Sequence, residues 1–481
     1  MDFRNIFKLL SLIGMTLSLF FSLDVFVGVV YGEQLYHEFL IVDILFFAIN
    51  FILWFLLKNH IIRFTIKESI VAVNFLWIMI GVGGAIPLYL YTDVSFSSAF
   101  FEAISGFTTT GATIYADLES LPDMILFHRS LMHWIGGMGI IVLGIGLLSM
   151  INPTGSLSLF KAEATGVQLE KLTPKIKDTA VSLWGIYVAM TLVDMLLLKL
   201  FGMSWFDAIN HAFSTISTGG FSTKNSSLGY FNSDAIIWTT TLFMLLSGMN
   251  FLAHIKLFYH DASGYKSEEV VWYLKMFFIL SVMLTFAHAS SSNDTWYFSL
   301  KHAFFTIASV MTTTGFATLD YAQWSPMAIG TIIVAMFLGG NAGSTAGGVK
   351  IIRYVIIFKT LFAELKRVTH PNALISVFVD NKKLPERILS STFGFFFLFA
   401  LTILAVTLYI YARGFDMMTS LTGALAMVGN IGPGFGAVGP ANNFTLFSDA
   451  DKWVLSFAMI IGRLEFYTVL VLLSRTFWKK F

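Results

Sequence analysis

Long apolar runs dominate this chain, separated by short polar or basic segments. Ten of the runs approach the roughly 20 residues that an α-helix needs to cross a hydrocarbon core about 30 Å thick. They lie near residues 6–30, 37–57, 69–91, 127–150, 181–201, 235–258, 271–290, 327–349, 391–412 and 453–474. The pattern predicts an all-α integral membrane protein with ten transmembrane helices.

Four shorter apolar stretches lie between the long runs and end alike. Each is about half as long as a bilayer-crossing helix and leads into small or hydroxyl-bearing residues and then a glycine. Their sequences are SFSSAFFEAISGFTTTGAT, SWFDAINHAFSTISTGGFS, TWYFSLKHAFFTIASVMTTTGFA and GFDMMTSLTGALAMVGNIGPGFG, with the glycines at Gly111, Gly219, Gly315 and Gly432. Because two long runs separate successive glycines, helix, half-helix, turn and helix form a unit that occurs four times.

This repeat divides the chain into five parts. Residues 1–68 form an N-terminal two-helix extension, and the repeats occupy 69–180, 181–270, 271–390 and 391–481. Irregular backbone at membrane depth is tolerated only where it is buried in protein or lines a water-filled cavity. We therefore expect the four turns to share one cavity.

The positions of lysine and arginine predict the orientation. With a cytoplasmic N-terminus, the inside loops contain KNHIIRFTIK, the stretch 161–177 and the basic segment from Lys350 to Arg387, and 22 of the 30 Lys and Arg residues then lie inside and only six outside. We expect both termini in the cytoplasm. The half-helices then enter from outside and point C-terminal ends, each with roughly half a negative charge, at the membrane centre.

That geometry favours a cation. A glycine permits a backbone conformation in which successive carbonyl oxygens face one axis, and rings of carbonyl oxygens replace the hydration shell of potassium in selective filters. One such turn is most often only a turn between helices. Four at matching positions indicate a permeation filter.

Composition supports the membrane assignment. Hydrophobic residues make up 56% of the 481 residues, charged residues 12%, and the mean hydropathy is +0.75. The chain has no cysteine, which excludes disulfides and thiolate chemistry. No nucleophile–base or metal-ligand spacing is recognisable, so we do not expect an enzyme.

The four turns resemble the filter segments of the Trk/Ktr/HKT superfamily of potassium transporters, and among them the pore subunit of bacterial Trk uptake systems. The resemblance covers essentially the whole chain and implies four helix–pore-loop–helix units around one pore, with pseudo-fourfold symmetry. By motif the filter residues are Thr109, Thr110, Gly111, Ser217, Thr218, Gly219, Thr313, Thr314, Gly315, Asn430, Ile431 and Gly432. Glycine at all four positions accompanies potassium selectivity in that family, whereas serine at the first is linked with sodium passage.

The same resemblance implies the partners and the location. It implies a homodimer with a pore in each subunit, in the lipid of a bacterial plasma (inner) membrane. It also implies a separate cytosolic nucleotide-binding regulatory subunit of the TrkA type. This chain does not contain that domain itself, because no G-x-G-x-x-G motif lies in a strand–helix context. Potassium is the transported ion, and we expect no organic cofactor and no nucleic acid.

The eighth run contains a glycine-rich segment, 339–348, that is poor in helix formers at a depth where lipid demands helix. We expect the helix to break there and form an intramembrane gating loop, as the resemblance also implies. A flexible cytoplasmic connector is the alternative. A phosphate loop is excluded because Val349 occupies the position of its lysine. The gate residues are Gly339, Gly340, Gly343, Gly347 and Gly348.

Arg463 lies near the middle of the last run. A charge at that depth normally faces a bundle interior or an aqueous cavity. The resemblance implies a pore arginine that raises the barrier to cations; a structural ion pair is the alternative.

A secondary transporter of potassium or another small solute, coupled to protons or sodium, is the alternative function. Such transporters also use broken helices, although usually as paired interruptions in two inverted halves. The sequence does not settle whether uptake is coupled, how strongly sodium competes, or which nucleotide the regulatory subunit senses.

Overall fold

Long apolar helices alternate with short ones along the chain. The computed structural model describes residues 1–139, 176–373 and 375–479. The helices are α1 (Phe3–Tyr31), α2 (Tyr36–Leu56), α3 (Ile66–Tyr91), α4 (Phe96–Phe107), α5 (Asp123–Gly137), α6 (Ile176–Leu200), α7 (Trp205–Ile216), α8 (Asp234–Ser247), α9 (Phe251–Phe258), α10 (Glu268–Ala289), α11 (Trp296–Met311), α12 (Pro326–Met336), α13 (Ile351–Thr369), α14 (Glu386–Ala412), α15 (Met417–Val428), α16 (Asp449–Arg463), α17 (Tyr467–Leu470) and α18 (Arg475–Trp478). A short antiparallel hairpin, β1 (Phe378–Val379) and β2 (Lys382–Lys383), pairs Phe378 with Lys383.

The all-α membrane architecture is confirmed, with differences in how individual spans are built. Among the described residues, six helices are long and apolar enough to cross a membrane, or up to eight if each bent pair counts as one span. The six are α1, α2, α3, α6, α10 and α14, and they coincide with six of the ten predicted runs. The run 127–150 begins in α5, and its remainder lies outside the described residues.

Three of the remaining runs are not continuous helices. The run 235–258 is α8 and α9, which meet at 98°, and the last run is bent by 113° after Arg463. The eighth run forms an 11-residue helix, α12, and the chain is then non-helical over 337–350, across the segment where the sequence predicts a break.

The break between α8 and α9 is stabilised by the non-helical segment 337–350. The Gly248 carbonyl accepts from the backbone N–H of Asn341 (2.8 Å), and the N–H of Phe251 donates to the Gly343 carbonyl (3.0 Å). The Asn250 side chain caps α9 by accepting from Leu252 (2.8 Å). Each irregular segment thus supplies hydrogen-bond partners for backbone groups of the other. Non-helical backbone at membrane depth requires such partners within the protein.

The helices pack in a cyclic order around four short ones. The short helices α4, α7, α11 and α15 each lie against the preceding and following helix of their own unit. In addition, α5 packs on α7, α8 on α11, α12 on α15, and α16 returns to α4. Each short helix is capped at its N-terminus by the side chain of Ser95, Ser204, Thr295 or Asp416. Their C-termini all lead into the glycine turns.

The N-terminal extension is joined to this assembly by a buried hydrogen bond between a carboxyl group and an imidazole. Asp24 of α1 and His128 of α5 are fully buried, with 2.7 Å between Oδ2 and Nδ1, and the His128 Nε2 donates to the Gly84 carbonyl (3.1 Å).

We expect His128→Leu to lower the free energy of unfolding by about 1–3 kcal/mol, because it leaves the Asp24 carboxyl group buried without its hydrogen-bond partner. Thermal unfolding of the purified protein in detergent measures this. Asp24→Leu/His128→Leu should cost less than the single change; an equal or larger cost would contradict this account.

Candidate ion-conduction site

The four turns share one backbone conformation. A non-glycine residue with positive φ follows each short helix, and a glycine with positive φ comes two residues later. The first set is Thr109 (φ 54°), Thr218 (56°), Thr313 (57°) and Asn430 (54°), and the second is Gly111 (79°), Gly220 (88°), Gly315 (82°) and Gly432 (97°). The residue between them donates the same 2.8 Å backbone hydrogen bond in every turn: Thr110 to Ser105, Gly219 to Ser214, Thr314 to Ser309 and Ile431 to Ala426.

The backbone of the second turn is equivalent to the other turns in a register one residue later than the motif predicts. The motif assigned Ser217, Thr218 and Gly219 to the filter, but the residues equivalent to Thr109, Thr110 and Gly111 are Thr218, Gly219 and Gly220. Two consecutive glycines make both registers compatible with the sequence. The backbone selects Gly220 as the glycine with positive φ.

The turns meet in a closed ring. A Cβ atom added to Gly111 would collide with the Gly219 carbonyl oxygen of the second turn. An added Cβ would likewise collide with the carbonyl oxygen of Thr314 at Gly220, of Ile431 at Gly315 and of Thr110 at Gly432. The contacts therefore run from the first turn to the second, third and fourth and back to the first. They place one equivalent carbonyl group from each turn beside the glycine of a neighbouring turn, and carbonyl oxygens are the groups that coordinate potassium in selective filters.

The hydroxyl groups of the turns mostly bond to protein. Thr108 and Thr110 share a 2.7 Å hydrogen bond, as do Thr312 and Thr314. The fourth turn has no hydroxyl, and the Asn430 amide there donates to the Thr110 hydroxyl (3.0 Å) and to the Met459 carbonyl (3.0 Å). These contacts fix the backbone of the turns.

A side chain of each short helix also holds a residue two or three positions after the positive-φ glycine, a feature that motif reasoning missed. Glu102 accepts from the Ile114 N–H, His211 Nε2 bonds to the Ser222 hydroxyl, His302 Nδ1 bonds to the Thr318 hydroxyl, and Thr422 accepts from the Phe435 N–H, each at 2.8 Å. The available signal was the presence of polar residues within each apolar half-helix.

The segment 337–350 lies against the pre-glycine side of the ring, which is the side formed by residues that precede the glycines. The N–H of Gly347 donates to the Thr313 hydroxyl (2.6 Å), and the Thr345 hydroxyl donates to the Ile216 carbonyl (3.0 Å). Among the predicted gate residues, Gly343 (φ 74°) and Gly348 (φ 66°) have positive φ. Cβ atoms on Gly339, Gly340 and Gly347 would lie within 2.7 Å of neighbouring atoms.

Glu269 connects the middle of this segment to the start of α13, and sequence reasoning did not identify it. Its buried Oε1 accepts from the N–H of Ala342 (2.7 Å) and of Ile352 (3.2 Å). A carboxylate in the first turn of the apolar helix α10 was its only sequence signal.

Arg463 ends α16 rather than lying within a continuous helix. Its guanidinium donates to the Thr345 carbonyl (3.0 Å) and to the carbonyls of Gly136 (3.1 Å) and Gly137 (3.4 Å). It therefore connects the non-helical segment to the end of α5. Glu465 instead pairs with Arg353.

A cavity of about 130 Å³ lies on the post-glycine side of the ring, which is the side formed by residues that follow the glycines. All four positive-φ glycines line this cavity together with residues that follow them. Within residues 1–139, 176–373 and 375–479, no group of three His, Asp or Glu side chains is placed to hold a metal ion. The arrangement is a carbonyl ring with a cavity on one side and a folded segment on the other.

Comparison with known proteins identifies the family. The family model described as TrkH, cation transport protein, matches residues 36–480. The chain is 38% identical to the Trk system potassium uptake protein TrkH of Salmonella typhimurium and 37% identical to that of Escherichia coli K12, each over the full length of both chains. The crystal structure of the potassium transporter TrkH from Vibrio parahaemolyticus superposes with a TM-score of 0.89 at 33% identity, covering all of both chains. The resemblance inferred from the four turns is confirmed: this chain belongs to the TrkH family of cation transport proteins.

Proposed function

We propose that this protein takes up potassium ions across the bacterial inner membrane through the ring formed by its four glycine turns. The observation that carries the proposal is the closed ring of equivalent carbonyl groups at Thr110, Gly219, Thr314 and Ile431. The relatives are named as potassium uptake proteins, which are transporters and not enzymes.

Potassium enters from the post-glycine cavity and exchanges hydration water for carbonyl oxygens. The C-terminal ends of α4, α7, α11 and α15 stabilise the cation, each with about half a negative charge. The backbone of the turns supplies the oxygens in place, because side chains around the turns hydrogen-bond to one another and to backbone groups of the turns and of neighbouring helices. Potassium is the substrate of this site.

The segment 337–350 and Arg463 form the gate. The segment covers the pre-glycine side of the ring, and Arg463 holds it through the Thr345 carbonyl. The guanidinium also places a positive charge on the path of the cation. Flux rises when the segment moves away from the second and third turns.

The proposed assembly is a homodimer with a cytosolic nucleotide-binding regulatory subunit. Both termini and the basic segment Lys350 to Arg387 face the cytoplasm, following the distribution of positive charge. This places 337–350 on the cytoplasmic side of the ring, where a regulatory subunit reaches it through α13.

The test compares rubidium and sodium flux into liposomes containing the native protein or Gly111→Ser. A side chain at φ 79° costs about 1–3 kcal/mol and in this ring displaces the Gly219 carbonyl. We expect the rubidium-to-sodium flux ratio to fall about 5- to 150-fold.

Gly414→Ser is the matched control, because Gly414 also has positive φ (94°) but has nothing within 4 Å of an added Cβ. Its flux ratio should equal that of the native protein. Uptake that saturates and follows an imposed proton or sodium gradient would instead support the coupled transporter. If neither ion passes, even with Arg463→Ala, the pore proposal fails.

A further inference from the structure

Glu102 of α4 is a fully buried carboxylate behind the first turn. It accepts hydrogen bonds from the Thr113 hydroxyl (3.0 Å) and the Ile114 N–H (2.8 Å), two and three residues after Gly111. Its third partner is the Arg129 Nε at 2.8 Å. The carboxylate therefore holds the residues that follow the first turn and pairs with the Arg129 guanidinium at the same time.

Arg129 of α5, with 1% of its side chain exposed, extends from this carboxylate to the second turn. Its guanidinium donates to the Ser222 carbonyl (3.4 Å), two residues after Gly220, and to the Thr113 hydroxyl (3.1 Å). Its Cζ also lies 4.0 Å from the centre of the Phe221 ring. One planar cation thus contacts residues of both turns.

At two of the other three junctions, the described residues that follow the turns are joined by neutral hydrogen bonds. Between the second and third turns, the Gly229 N–H donates to the Ala317 carbonyl (3.2 Å), and the Ala317 N–H donates to the Ser227 hydroxyl (3.2 Å). Between the fourth and first, the Phe444 N–H donates to the Thr113 carbonyl (2.8 Å). The first junction differs because a buried ion pair crosses it.

We propose that Glu102 and Arg129 are positioning residues that set ion selectivity by fixing the first and second turns relative to each other. The inference rests on the proposed function. Selectivity in a carbonyl ring depends on the number and field of the oxygens that face the ion, and the pair holds two of the four contributing segments. Because the guanidinium donates in several fixed directions at once, a lysine ammonium keeps the charge but not this geometry.

The experiment measures rubidium and sodium flux into liposomes for the native protein, Arg129→Lys, Arg129→Met, Glu102→Gln/Arg129→Gln and Gly111→Ser. Lys301→Met is the matched control, because it removes a cation paired with Asp234 (2.6 Å) at the outer end of α11, away from the ring. We expect Arg129→Lys to lower the rubidium-to-sodium ratio about tenfold through increased sodium flux. Lys301→Met should leave the ratio unchanged.

The outcomes separate the two proposals. If Gly111→Ser lowers the ratio but the Arg129 variants, eluting as native protein, keep it, the inference is wrong and the filter stands. If Gly111→Ser also keeps it, the proposed function itself fails. If Arg129→Lys or Arg129→Met does not fold, the neutral double variant decides, because removal of both charges leaves no unpaired ion in the core. Equal loss of both ion fluxes at a constant ratio would assign the pair a purely structural role and overturn the inference.

Discussion

Gly220→Ala is expected to abolish potassium selectivity as completely as Gly315→Ala does. Gly220 has φ 88°, and an added Cβ would collide with the backbone carbonyl of Thr314, which cannot rotate away as a side chain can. The strain alone costs about 1–3 kcal/mol, and the displaced carbonyl is one of the proposed ligands. The rubidium-to-sodium flux ratio in liposomes should fall by about 5- to 150-fold in both variants.

Gly219→Ala distinguishes the two possible registers of the second turn. Its φ is not positive, and its added Cβ would meet the His133 ring rather than backbone. We therefore expect His133→Ala to restore part of the selectivity of Gly219→Ala but none of that of Gly220→Ala. If His133→Ala restored selectivity to Gly220→Ala, or if Gly220→Ala alone kept the native selectivity, the register that the motif predicted would be the right one.

Arg463→Ala is expected to increase basal rubidium flux by about tenfold or more, since each 1.36 kcal/mol removed from a barrier is worth a factor of ten. The change removes a positive charge from the path and the hydrogen bonds that hold Thr345 to the end of α5. Flux into liposomes without a regulatory subunit measures the effect directly.

Arg463→Lys tests which of these two effects dominates. Lysine retains the charge but not the forked donors, so the flux should rise less than in Arg463→Ala. Lys366→Ala, which removes an exposed cation from α13, is the control and should conduct as the native protein does. Unchanged flux in Arg463→Ala would remove this residue from the gate.

Much of the architecture follows from local pattern. The long runs and the half-helices ending at Gly111, Gly315 and Gly432 were predictable because lipid demands helix and because a turn with positive φ favours glycine. Each of these signals is contained within a few residues of the feature it predicts.

The remaining features depend on partners far along the chain. The break between α8 and α9 is stabilised by residues near 341, which hydropathy over 235–258 does not register. The last run looks continuous because most of its residues are apolar, yet Glu465 and Phe466 take positive φ and the helix ends at Arg463. Glu102 and Arg129 lie 27 residues apart on different helices, so no periodicity connects them.

The closed ring also means that the proposed conducting path is completed late in the synthesis of the chain. Its final contact joins Gly432 to Thr110, and Asn430 bonds to a hydroxyl 320 residues earlier in the chain. A nascent or truncated chain that ends before residue 430 has three of the four turns and lacks both contacts that the fourth turn makes. The proposed conducting path is therefore complete only once the last repeat has docked against the first.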